Sequence, residues 1–416
     1  MKNKDYWFAL KSYVYVEFKE RKILLYDTKS GNYIETENKD AISLISQLYE
    51  PKNLGVTTLT KDMQLEPNIN QFVNEVLEKQ IGDLTDIEKL PNKPIRLIPI
   101  LNLQKDVDKL KKNEENYHLI GDNAKNYLME LNIFLNNNCS LKCSHCKKYF
   151  KQMYCCTTHN PNGEIILEDI ENIFFQIQYS SIGKVNILGG NIFSHKDISR
   201  MYNIFDSFKD ILHCYFHYKN YKPNLLPESI KLELIVNFPL KKVDFKNIWN
   251  LIDREKTNVR FIIENEDQFF QMESIINEYK IMKYKIHPVY TGENLTFFQE
   301  NIFISKENIF SKTLSIREIF RNQKLNSNFF GSLYILPDGS VKANMNVQSI
   351  GNIKTNSLLS FIFKEMFDNT AWRIVRNSTP CNECLYQFIC PAPSNYEIAI
   401  GRSNLCHVLP NMTSDN

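Results

Sequence analysis

The sequence predicts an α/β protein: a partial, TIM-like (β/α)6 barrel, preceded by a small α+β domain and followed by a cysteine-bearing extension. Three observations predict it. Strand-like runs alternate with amphipathic stretches from about residue 126 to 305. β-Branched and aromatic runs separated by turn residues gather near the N-terminus. Two cysteine groups stand apart, one just after the first barrel strand and one near the C-terminus.

The chain has 416 residues, enough for two or three domains, and 43% of them are hydrophobic, which supplies a sizeable core. Lys and Arg number 50 against 48 Asp and Glu, so the charge balance argues for neither nucleic acid nor an anionic membrane. The segment Met1 to Leu10 lacks a secretory h-region, and no apolar window reaches the ~18 residues that span a bilayer. The expectation is a cytoplasmic protein whose ten cysteines are thiols or metal ligands rather than disulfides.

In residues 1–90, the runs 13–18, 22–26 and 33–36 read as three strands, with Gly31 and Asn32 breaking the chain before the third. Asp40 is the expected cap of a helix carrying Ile42, Leu44, Ile45 and Leu48. A second helix presents Phe72, Val73, Val76 and Leu77 on one face. Residues 91–125 read as a proline-rich linker between Pro91 and Pro99, then a surface helix over 103–125.

Residues 126–305 give strand candidates at 128–135, 184–188, 212–218, 232–238, 259–264 and 284–290. Amphipathic stretches at 168–179 and 267–279 lie between some of them. Alternation of this kind implies βαβ units and a parallel sheet. Residues 325–416 show short strands around a Pro337-Asp338-Gly339 turn, then a second cysteine group.

Cys139, Cys143 and Cys146 are four and then three positions apart, in a loop at the C-terminal end of the first barrel strand. Active-site groups collect at that end of a βα barrel. Three thiolates on one loop can hold three irons of a [4Fe–4S] cubane and leave the fourth open to an external ligand. Zinc competes for the same thiols, with His145 and His159 as further donors, but no close fourth ligand of the usual knuckle type is present. The second strand ends in Gly189-Gly190-Asn191, where a backbone without Cβ atoms approaches a ligand or simply turns. Cys155 and Cys156 follow the loop with no role that spacing assigns.

With an aromatic position before its last cysteine, filled here by His145, this loop resembles that of the radical S-adenosylmethionine (SAM) superfamily. The resemblance implies a [4Fe–4S] cluster on Cys139, Cys143 and Cys146, SAM as cofactor, and a 5′-deoxyadenosyl radical that abstracts hydrogen. Gly189, Gly190 and Asn191 then correspond to the glycine-glycine-acid segment that meets the methionine amino group. Asn191 accepts through its carbonyl but lacks the usual charge. By the same logic Asn237, ending the fourth strand, is a candidate ribose contact, or a plain polar strand end. No catalytic acid or base stands out, and the family's fifth-strand glycine motif has no match around 261–266.

Cys381, Cys384, Cys390 and Cys406 form the second group; four thiolates can enclose a complete [4Fe–4S] cluster or a zinc ion. Their surroundings resemble the SPASM extension of radical SAM peptide-modifying enzymes: Leu333 to Gly339, then Gly351-Asn352-Ile353, a helix reaching Trp372, and Cys381. That extension ordinarily holds two auxiliary clusters. Here Asn344 and Ser394 stand at cysteine positions and no cysteine follows Gly351, so the resemblance implies one auxiliary cluster.

Residues 1–90 resemble the winged-helix-like element that recognises leader peptides by strand addition; a cap on the barrel is the alternative. Together the regions resemble maturases of Bacteroidales-type peptide cassettes, including a pseudo-radical-SAM relative. The implied partners are a ribosomally synthesised precursor peptide, an electron donor such as a flavodoxin or ferredoxin, and, for the non-catalytic relative, an active radical SAM paralogue.

Overall fold

The computed structural model describes residues 4–100, 124–141, 143, 148–154 and 163–408. Cys146, with His145, Cys155, Cys156 and His159, and most of the expected helix over 103–125, lie outside the described residues.

The N-terminal unit runs β1 (Tyr6–Leu10), β2 (Val14–Lys19), β3 (Lys22–Asp27), β4 (Tyr33–Thr36), α1 (Lys39–Tyr49), β5 (Thr57–Leu59), α2 (Lys61–Leu65), α3 (Pro67–Glu78) and β6 (Gly82–Asp86). The three expected strands are β2, β3 and β4, an antiparallel sheet in that order. A second antiparallel sheet, β5-β1-β6, was not expected: β5 is three residues long and β6 is largely polar. Asn38, not Asp40, caps α1, its side-chain oxygen accepting from the Asp40 and Ala41 amides. Asp40 instead sits in the first turn, where a negative charge favours the helix dipole.

Strand β3 is buried on both faces, which is why Ile23-Leu24-Leu25-Tyr26 is a continuous apolar run. Ile23 and Leu25 face Leu44, Ile45, Phe72 and Val76 of α1 and α3. Leu24 and Tyr26, with Tyr15, face Ile309, Ile319, Tyr386 and Ile389 from the C-terminal region. The sheet therefore packs on the cysteine-bearing region. The proline-rich segment lies back across this unit, Arg96 N donating to Leu54 O at 2.9 Å and its guanidinium meeting Asp83 at 3.1 Å.

The middle region runs β7 (Glu130–Phe134), α4 (Leu167–Ile177), β8 (Lys184–Leu188), α5 (Tyr202–Ser207), β9 (Leu212–His217), β10 (Lys231–Val236), α6 (Lys242–Leu251), β11 (Thr257–Ile263), α7 (Glu266–Tyr279), β12 (Tyr284–Pro288) and α8 (Leu295–Asn301). The six expected strands are all present. The crossover from β9 to β10 carries a single 3-10 turn, Tyr218–Asn220, in place of an α-helix. The C-terminal region adds α9 (Lys306–Phe310), α10 (Ile316–Lys324), β13 (Ser332–Ile335), β14 (Ser340–Lys342), β15 (Gly351–Asn352), α11 (Leu358–Asp368) and α12 (Asn395–Ile400).

These strands form one nine-stranded, mostly parallel sheet, ordered β12-β11-β10-β9-β8-β7-β13-β14-β15. β13 pairs in parallel with β7, Leu333 opposite Leu131, so the sheet continues across the boundary the sequence places near residue 325. Side chains alternate between its faces. Leu131, Val185, Cys214, Leu234, Phe261 and Leu333 join the helix-covered core. Phe134, Leu188, Tyr215, Ile235, Ile262 and Tyr334 point to the other face. Among the described residues no helix is long and apolar enough to cross a membrane.

Candidate functional site

The loop after β7 is held by Asn136, which is 1% exposed. Its side-chain oxygen accepts from the Asn138 amide at 3.1 Å and the Asn191 amide at 3.4 Å. Its amide nitrogen donates to Asn191 O at 2.8 Å, and its backbone carbonyl accepts from Gly190 N at 3.2 Å. One asparagine thus ties the cysteine loop to Gly189-Gly190-Asn191. Sequence reasoning missed it; the visible signal was the Asn136-Asn137-Asn138 run directly before Cys139.

Gly189 has φ +146°, and a Cβ on Gly190 would stand 1.9 Å from Asn138 O and 2.7 Å from Cys139 N. The close approach that Gly190 permits is therefore to the cysteine loop itself. Cys139 and Cys143 are half-buried on that loop. Beside them the Asn191 side-chain oxygen is buried with no hydrogen-bond partner. Asn237 gives its carbonyl oxygen to His217 Nε2 at 2.8 Å, while His217 Nδ1 accepts from Lys219 N at 3.2 Å. That pairing makes His217 neutral, and burial holds it down to about 4.

Below the strand ends, the sheet face opposite the helices carries a polar network. Glu233 accepts from Arg260 Nε at 2.6 Å and Asn258 Nδ2 at 2.8 Å, and pairs with His213 at 3.0 Å. Arg260 also donates to Tyr215 Oη at 3.0 Å and to His287 Nε2 at 2.9 Å. Burial pushes the Glu233 carboxyl up, but the bonds from His213 and Arg260 outweigh it and hold it at about 2. Burial, then the Arg260 charge, keeps His287 down at about 4. Glu130 accepts from Lys184 at 3.3 Å and from Asn186, which also reaches Asn132 at 2.7 Å.

Residues 149–154 close over this face. Asn346 grips the Lys151 backbone, accepting from its N–H at 2.6 Å and donating to its carbonyl at 2.7 Å. The Gln152 side chain likewise bonds both backbone groups of Tyr290, at 2.9 and 2.7 Å. Met153 and Tyr154 turn inward among Phe134, Leu188, Tyr215 and Tyr334. Lys151 Nζ is buried without an acceptor. Asn344 is fully buried and donates to Asn395 Oδ1 at 2.8 Å, which also accepts from Asn346 at 3.0 Å. An amide network thus surrounds the positions where the resemblance expects ligands of a second auxiliary cluster.

Cys381, Cys384, Cys390 and Cys406 line one hollow with Arg376, Gln387 and Asn404. Among the described residues no three His, Cys, Asp or Glu side chains converge to hold a single metal ion. Nitrogen donors already meet the sulfurs: Tyr386 N at 3.4 Å from Cys384, Asn404 Nδ2 at 3.3 Å from Cys406 and Arg376 at 3.7 Å from Cys381. A four-iron cluster accepts such N–H···S bonds, and the donor set fits one. Burial pushes the Cys390 thiol up to about 12, against the pull of Arg376.

No family model matches the chain, and no curated protein matches it. Among solved structures the chain is similar to Streptococcus suis SuiB bound to precursor peptide SuiA, with a TM-score of 0.47 and 13% identity over 92% of this chain and 94% of that one. SuiB bound to S-adenosylmethionine gives 0.46 and 13% over the same shares. Native anSMEcpe with bound AdoMet gives 0.41 and 11% over 63% of this chain and 88% of that one. At these scores the likeness assigns no residue a role.

Proposed function

We propose that this chain is a radical SAM protein acting on a ribosomally made peptide. Cys139, Cys143 and Cys146 hold its [4Fe–4S] cluster, and Cys381, Cys384, Cys390 and Cys406 hold one auxiliary cluster. The observation that carries the reading is the buried, unpartnered side-chain oxygen of Asn191, on a segment that Asn136 ties to the cysteine loop. A buried acceptor without a donor costs about 1–3 kcal/mol, and an ammonium group arriving beside the cluster loop would satisfy it. The unpaired Lys151 ammonium on the adjoining segment calls in the same way for an anionic group. When bound, the cluster and SAM supply the reducing electron and the 5′-deoxyadenosyl radical. The chain's own residues position them: Asn136 fixes the two loops, Gly190 lets them touch, and Asn237 offers its amide.

In the same reading the N-terminal unit receives the peptide along an open strand edge of its sheets, by main-chain pairing. The open nine-stranded sheet, with β12 and β15 at its edges, is on this reading a partial barrel.

A second reading has its own observation. Asn191 carries no charge, and Tyr154 and Met153 occupy the sheet face below the loop. Both suit a non-catalytic relative that keeps the cluster and presents a peptide to an active paralogue. Anaerobic reconstitution followed by reduction with SAM present separates the two. The enzyme reading expects 5′-deoxyadenosine and about eight irons per chain. Full iron with no nucleoside product leaves the partner reading.

A further inference from the structure

We propose that Arg376 sets the reduction potential of the cluster held by Cys381, Cys384, Cys390 and Cys406, by fixing a permanent positive charge against its sulfurs. The proposal rests on the auxiliary-cluster reading of those four thiols.

The Arg376 side chain is 5% exposed, and every edge of its guanidinium is engaged. Nε donates to Pro391 O at 2.5 Å, Nη2 to Glu397 at 2.9 Å, and Nη1 stands 3.7 Å from Cys381 Sγ. Gln387 fixes the backbone here by donating to Arg376 O at 2.7 Å. The geometry is rigid, and a guanidinium does not lose its proton in a protein. Cluster potentials respond to nearby charge and to hydrogen bonds on sulfur. A buried cation at the sulfurs favours the more negative, reduced state and so raises the potential. Glu397 opposes it in part. A second cation, Lys19 of β2, reaches the knuckle from the N-terminal unit, donating to Asn382 O at 2.9 Å and Gln387 Oε1 at 2.7 Å. Its side chain is 19% exposed and paired with Glu17 at 2.9 Å, so its influence is smaller.

The test uses the full chain with Cys139, Cys143 and Cys146 changed to alanine, so that one cluster remains. Iron content and the reduced-state electron paramagnetic resonance (EPR) signal come first. Absent iron, or zinc in its place, overturns the auxiliary-cluster reading and the proposal with it. With the cluster present, redox titration of Arg376→Gln should give a lower midpoint potential. Arg376→Lys should recover part of the shift, and Lys19→Gln should move the midpoint down by less. Glu397→Gln leaves the guanidinium in place and should move it up, which decides the matter if Arg376→Gln does not fold. An unchanged midpoint in Arg376→Gln, or a fall in Glu397→Gln, overturns the proposal while leaving the cluster assignment standing.

Discussion

Asn136 and Asn191 are joined by a two-way clasp: the Asn136 amide donates to Asn191 O at 2.8 Å, and its oxygen accepts the Asn191 N–H at 3.4 Å. The clasp links two loops that come from different strands, β7 and β8. Replacing Asn136 by alanine removes both bonds and the one from Asn138 N. The loss is expected to cost about 2 kcal/mol of stability, at roughly 0.5–1.5 kcal/mol per bond. SAM affinity should fall further than stability does. Equilibrium binding of SAM to the reconstituted variant, beside a urea melt, checks this; unchanged affinity would count against the clasp.

Gly190→Ala places a methyl group 1.9 Å from Asn138 O, so one of the two loops must move. The expected result is a folded chain with close to wild-type circular dichroism and about half the iron, the auxiliary cluster being untouched. Iron analysis of the purified variant reads the outcome, and a full complement contradicts the predicted loop contact.

Arg260 is the hub of the network on the open sheet face, and its side chain is 5% exposed. Arg260→Leu strands the Glu233 carboxylate. Breaking a buried pair from one side costs about 3–5 kcal/mol. Chemical denaturation should show that loss. A change below about 1 kcal/mol would mean that the network is wet and weakly coupled.

His217 and His287 are both held down to about 4 in the folded chain, against 6.5 ordinarily. A depressed histidine binds fewer protons folded than unfolded. Stability is then full above pH 6.5 and falls as the pH drops toward 4, by up to about 1.4 kcal/mol per unit for each group. Glu233, held at about 2 against 4.5, extends the loss over the window from 4.5 down to 2. Melts of the metal-free chain between pH 7 and 4 test the sign. Replacing His287 by Gln should flatten the upper part of that dependence.

The sequence was most legible where local pattern and tertiary role agree. The run Lys184–Leu188 is a strand with the same bounds in the structure, because a short apolar run flanked by turns has few other solutions. The helix at 266–279 likewise follows its periodicity, with Asn265 as cap. Legibility failed where only partners define the element. β5 and β6 exist because β1 lies between them, and neither has an apolar signature. The parallel pairing of β13 with β7 joins residues about two hundred positions apart, which no local pattern encodes. At the site, the cysteines and the Gly-Gly pair were visible as residue types. The clasp by Asn136, the grip of Asn346 on Lys151 and the guanidinium beside Cys381 were not, since each is a relation between distant asparagines, backbones or charges.

The proposed function requires one iron of the loop cluster to be open to SAM. The direct measurement is EPR of the reduced protein with Cys381, Cys384 and Cys390 changed to alanine, recorded before and after adding SAM. A [4Fe–4S] signal whose shape changes on addition is the expected result. An unchanged signal, or zinc on the loop in place of iron, would contradict it.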